Sequence, residues 1–188
     1  MLIMALCVGF TAIPSARGQA VTGPFAGLAG ATAKVGSEDK IPAKLCALLW
    51  PALGTNQQNC IVKKVSIAGK DPHEMKYLIL RPDNHDVVMA RVTASEPKDD
   101  MKSREERYYL TTAQGDLALA LEVTFIFKVN DVDSDVLKNV TLQAYGQTPG
   151  ARDTLPVTPE VKADFETEKK FWLGQEKHLK KQARKLSD

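Results

Sequence analysis

In residues 117–129 the odd positions, Leu117, Leu119, Leu121, Val123, Phe125, Phe127 and Val129, are large and apolar. Between them Ala118, Ala120, Glu122, Thr124 and Lys128 are small or polar, and only Ile126 breaks the alternation. A period of two marks a strand with one buried side, because on a helix the same positions would spread around the whole circumference. The pattern outvotes the Ala, Leu and Glu of its first half, which favour helix by propensity alone. Thirteen residues exceed an ordinary strand, so a bend or bulge is expected near Glu122.

A lone ribbon has nothing to cover its apolar side, so its partners must come from the flanking sequence. Alternation predicts strands from Ile61, over 76–81, over 87–94 and over 107–112, with a short one over 141–145. Asp71-Pro72, Pro82-Asp83-Asn84 and Ala113-Gln114-Gly115-Asp116 mark the turns between them. The mixed-charge residues 98–106 read as a solvated loop, and Val136, Leu137 and Val140 as a helix-like turn.

Two helices frame these strands. Pro42 stands where a first helical residue would, and an apolar run follows to Trp50 before Pro51 stops it. Near the C-terminus Thr158-Pro159-Glu160 supplies an N-cap, a proline at the first helical position and an acid in the first turn. Phe165, Trp172, Leu179 and Leu186 then recur every seven residues, but Glu168, Gln175 and Gln182 three positions later are polar. Half of a coiled-coil seam is therefore missing, and the narrow stripe suits packing on a sheet. Together these elements predict an α+β fold: an antiparallel β-meander of five to six strands, with a short N-terminal helix and a long C-terminal helix packed on one face. The apolar side of residues 117–129 is expected to lie beneath that last helix.

The N-terminal sequence changes the picture. An apolar run of about a dozen residues, too short to span a bilayer, leads to Pro14 and the small-residue site Gly18-Gln19-Ala20. This reads as a signal peptide over 1–20, although no Lys or Arg precedes the run, and a buried N-terminal helix is the rival reading. Residues 21–40, rich in Gly and Ala without periodicity, read as a flexible linker, and 41–188 as a single domain. The export reading places the chain in the periplasm or outside the cell. There Cys46 and Cys60, the pair left after signal removal, would form a disulfide; the alternative is two buried free thiols.

Candidate chemistry is sparse. No serine stands in a Gly-x-Ser-x-Gly elbow, no glycine loop resembles a phosphate cradle, and His73, His85 and His178 lack metal-ligand spacing. Asp131, Asp133 and Asp135 resemble the start of a calcium loop, but Val136 and Leu142 stand where that loop needs its glycine and its last acid. No metal and no cofactor are expected. His73 and His85 lie in turns at the ends of neighbouring strands, beside Glu74 and Asp86, which is the basis of an alternative reading as a small exported hydrolase. Asn139-Val140-Thr141 matches a glycosylation acceptor.

The net charge of +2 hides a concentration of cations in the last helix. Lys169, Lys170, Lys177, Lys180, Lys181 and Arg184, with Trp172 among them, form a candidate surface for an anionic partner, although cations at a helix C-terminus also complement its dipole. The field is too local to imply nucleic acid. The sequence therefore predicts an exported, non-catalytic binding module of the cell envelope. Its partner would be a protein or envelope component, with weak contact to an anionic surface through the basic helix.

Overall fold

The computed structural model describes residues 23–40, 61–80, 87–129, 135–146 and 154–188. A 3-10 turn, Gly23–Phe25, opens into α1 (Ala26–Val35), followed by β1 (Ser37–Lys40), β2 (Ile61–Ala68), β3 (Glu74–Leu80), β4 (Val87–Ala94), β5 (Met101–Thr111), β6 (Leu117–Lys128), β7 (Val136–Gly146) and α2 (Pro159–Lys185). The strands form one antiparallel sheet in sequence order, β1 to β7. The α+β meander is thus as expected, but it has seven strands rather than five to six.

The additional strand lies where a linker was expected. Residues 23–40 hold α1 and β1, and Phe25 and Leu28 are fully buried. The Gly/Ala composition that looked like a tether instead allows close helix packing, since α1 lies against α2. A side chain added at Gly27 would collide with the tips of Glu176 and Lys180. The short helix predicted after Pro42, the signal segment, His85, and Cys46 with Cys60 lie outside the described residues.

Three other expectations are corrected. Residues 101–106 belong to β5, reached by a tight turn in which Asp99 and Asp100 both take positive φ (51° and 58°). Two consecutive left-handed residues are what a twisted two-residue hairpin requires, and Asp tolerates that conformation. The charged side chains of β5 that suggested solvent are held by the sheet: Arg104 lies over the rings of Phe125 and Phe127, and Lys102 pairs with Asp135. Val136 to Val140, read as a helical turn, is the first half of β7. No bulge occurs at Glu122, which pairs regularly with Arg107 and Gln143; the register shifts at Leu110/Thr111 and at Ile126/Phe127. The hairpin before β6 is as predicted, with Gly115 at φ 84°.

The sheet has a core on each face. On one, Val161, Phe165, Trp172 and Leu179 of α2 and Phe25 and Leu28 of α1 pack with Leu78, Leu80, Met89, Tyr109 and Ala120. On the other, Leu119, Leu121, Val123 and Phe125 of β6 join Val62, Ile79, Val88, Ala90 and Tyr108. The apolar side of β6 therefore points away from α2, contrary to expectation. Ala120, Glu122 and Thr124 occupy the helix-facing side. A helix laid on a sheet needs room, and small side chains beneath it let the large residues of α2 fill the gap.

Candidate functional site

The basic stripe of α2 is the one candidate surface that the structure gathers in one place. Thr158 caps the helix by accepting a hydrogen bond from the Val161 N–H at 3.3 Å, and Pro159 opens the first turn. The same cap, through the backbone N–H of Glu160 itself and the Thr158 hydroxyl, lowers the Glu160 carboxyl below its ordinary range. The apolar stripe then fixes the helix rotation, because Val161, Phe165, Trp172, Leu179 and Ala183 all turn inward and are buried. That rotation leaves Lys177, Lys180, Lys181 and Arg184 exposed along one side of the C-terminal half. With Leu173 and Glu176 they line a groove of about 690 Å³. Glu176 pairs with Lys180 four residues on, and Gly27 of α1 abuts that pair.

Two members of the predicted set do not share this surface. Trp172 is fully buried, with its ring edge-on to Phe171 at 5.2 Å. Lys169 turns to the hairpin, donating a hydrogen bond to the Gly115 carbonyl at 2.6 Å and lying 5.6 Å from the Phe165 ring. Lys170 is exposed but does not line the groove.

A second charged cluster, absent from the expectations above, lies between α2 and the sheet. Lys76, Arg91, Arg107 and Glu122 sit side by side in register across β3 to β6. Asp164 and Glu168 of α2 come down on this row. Arg91 donates to Asp164 at 2.9 Å and to Glu168 at 3.3 Å, Lys76 and Arg107 pair with Glu168 and Asp164 respectively, and the Tyr109 hydroxyl donates to Asp164 at 2.9 Å. Glu74 stands 3.4 Å from Lys76, and Glu122 stands 3.3 Å from Arg107.

Burial by itself would push the Asp164 carboxyl up, but hydrogen bonds from Arg91, Arg107 and Tyr109 more than offset this and hold it down at about 2. Burial and then the neighbouring carboxylate push the Tyr109 hydroxyl up, which keeps it a donor. Every charge in the row is committed to a partner of opposite sign, so the cluster locks the helix to the sheet. Glu168 Oε2 and Trp172 Nε1, one turn apart, are buried without hydrogen-bond partners. The signal that could have found the cluster was the polar break in the α2 stripe at Asp164 and Glu168, opposite strands with a charge in mid-run.

The two described histidines, His73 and His178, do not assemble into a set. His73 is 43% exposed and sits 3.1 Å from Glu96, not beside Glu74, whose carboxylate serves Lys76 and Arg91. His178 contacts Gln182 on the surface of α2. Among the described residues no group of three His, Cys, Asp or Glu side chains is placed to hold a metal ion, and Asp135 is paired with Lys102. No helix among them is long and apolar enough to cross a membrane. No protein-family model matches the chain, and neither does any curated protein or solved structure.

Proposed function

We propose that the chain is an exported, non-catalytic binding module of the cell envelope, and that it meets an anionic surface through the groove on the C-terminal half of α2. The observation that carries the reading is the division of labour among the cations. Lys76, Arg91 and Arg107 are consumed by ion pairs inside the fold, whereas Lys177, Lys180, Lys181 and Arg184 stand exposed in one groove in which, among the described residues, Glu176 is the one acid. Their spacing, at i, i+3, i+4 and i+7, puts all four on one side of a helix that its inner face holds rigid. Leu173 at the end of the row offers an apolar contact, as an amphipathic interfacial helix does. The export leader expected from residues 1–20 and the scarcity of catalytic constellations in the sequence agree with this reading.

The test is co-sedimentation with vesicles of anionic or zwitterionic lipid at low and high salt. Each cation near an anionic surface contributes about 1 kcal/mol, so replacing all four by alanine is expected to weaken binding roughly a thousand-fold, since 1.4 kcal/mol is a factor of ten. Binding to anionic vesicles should also fall as salt rises, because exposed charges are screened. Equal binding by the quadruple variant, or indifference to salt, would overturn the proposal.

A further inference from the structure

β7 ends the sheet, with β6 on one side and, among the described residues, only Leu155 on the other. Leu155 forms a short parallel bridge: its N–H donates to the Ala144 carbonyl at 2.8 Å, and its carbonyl accepts from the Gly146 N–H at 3.0 Å. These two bonds show which backbone groups face outward. Because N–H and C=O change sides with each residue, the groups of Val140 and Leu142 point to the same open edge as those of Ala144 and Gly146, and those of Thr141 point to β6. An unprotected edge of this kind is a template for another strand. At one end of the open stretch the register shift at Ile126/Phe127 leaves Lys138 bulged, and at the other Leu155 closes it, so residues 139–143 are left. Exposed apolar side chains gather near them: Val136, Leu137, Leu142, Leu155 and Val157 are between 38% and 48% exposed, and Leu186 is the one exposed large apolar residue elsewhere among those described.

We infer that β7 pairs antiparallel with β7 of a second copy of this chain, about a two-fold axis through Thr141. The register follows from the side chains. Val140 and Leu142 share the sheet face of Phe125 and Val123, and Asn139, Thr141 and Gln143 share the face of Ile126, Thr124 and Glu122. Centring the axis on Thr141 sets Val140 opposite Leu142 of the other copy twice on the apolar face. On the polar face it sets Asn139 opposite Gln143 twice, with the two threonines on the axis. Apolar meets apolar, amide meets amide, and cross-strand Thr–Thr pairs are favourable. The outward backbone groups of Val140 and Leu142 then become hydrogen-bonded pairs, which is the parity the Leu155 bridge dictates. Lys138, the one charge on β7, stands in the bulge outside the paired residues 139–143, so no like charges meet across the axis. A two-fold contact closes on itself and uses the β7 edge of both copies. A peptide of unrelated sequence would satisfy the backbone but has no reason to reproduce this alternation.

Sedimentation velocity on the full chain over a concentration series tests the inference. A patch this short is expected to give a monomer–dimer equilibrium with a Kd of about 10–100 µM. Thr141→Lys places two ammonium groups on the axis and is expected to be monomeric throughout, with an unchanged circular dichroism spectrum. Thr141→Cys should form a disulfide-linked dimer on mild oxidation beyond what the wild type gives. Asn139→Cys should not, because its copy sits four positions away along the opposing strand, beyond disulfide reach. A wild type that stays monomeric at the highest concentrations, a Thr141→Lys variant that still dimerises, or Asn139→Cys cross-linking as readily as Thr141→Cys would each overturn the two-fold pairing. A monomer that captures an unrelated extended peptide on β7 would do so as well.

Discussion

The two sides of α2 use the same kind of charge in opposite ways. On the inner side Lys76, Arg91 and Arg107 reach up from three adjacent strands and are neutralised by Asp164 and Glu168, with Lys76 8% exposed and Glu168 at 0%. On the outer side of the C-terminal half, Lys177, Lys180, Lys181 and Arg184 gather around one acid. Water decides the difference. A buried cation must be paired, because desolvation costs more than any single contact returns, and once paired it fixes the register of the helix on the sheet. An exposed cation costs little, contributes little to folding, and remains available to a partner. Cation density alone therefore separates neither stability from binding nor one half of a helix from the other.

The largest effect expected from testing that contrast is on the inner side. Arg91→Ala leaves Asp164 and Glu168 without a shared cation and should lower stability by about 3–5 kcal/mol, read from the midpoint of urea unfolding. The vesicle binding of the variant that remains folded should be unchanged. Replacing Lys177, Lys180, Lys181 and Arg184 by alanine should do the reverse, weakening vesicle binding roughly a thousand-fold while shifting stability by less than about 1 kcal/mol.

The pH dependence gives a smaller effect. Asp164 has its pKa lowered from 3.8 to about 2, so its contribution to stability is fully present above the unfolded value and is lost as pH falls through the folded one. That contribution is about 2 kcal/mol, and comparing acid unfolding curves of the wild type and Asp164→Asn should show a shallower slope below about pH 4 in the variant. The smallest effect is at Gly174, exposed at the junction of the two halves with no atom near where a Cβ would stand. Gly174→Ala should raise the unfolding free energy by about 0.5–1 kcal/mol without changing binding. A loss of stability there would mean that the helix bends at this residue for a reason the contacts do not show.

What could be read from the sequence was local. The alternation of β6 and β4, the glycine turn before β6, and the Thr158-Pro159 start of α2 depend on backbone geometry within a few residues, and all appear where the pattern put them. The seven-residue recurrence of Phe165, Trp172 and Leu179 likewise gave the buried stripe of the helix. The failures share a cause. α1 is made of residues too small to show a period, yet smallness is what lets it approach α2. The charges of β5 looked solvated because their partners are far along the chain, Phe125 and Phe127 on β6 and Asp135 just before β7. Trp172 seemed to belong to the basic surface because neighbours in sequence are not neighbours around a helix.

The sequence by itself determined that β6 is a strand and α2 a helix and which side of each is apolar, because those properties follow from periods of two and 3.6 residues. Only the tertiary structure decided which face of the sheet the helices would cover, which cations would be buried and which left in the groove. An apolar side specifies that it must be buried and not against what, and a lysine carries the same charge in either place until the fold supplies or withholds its partner.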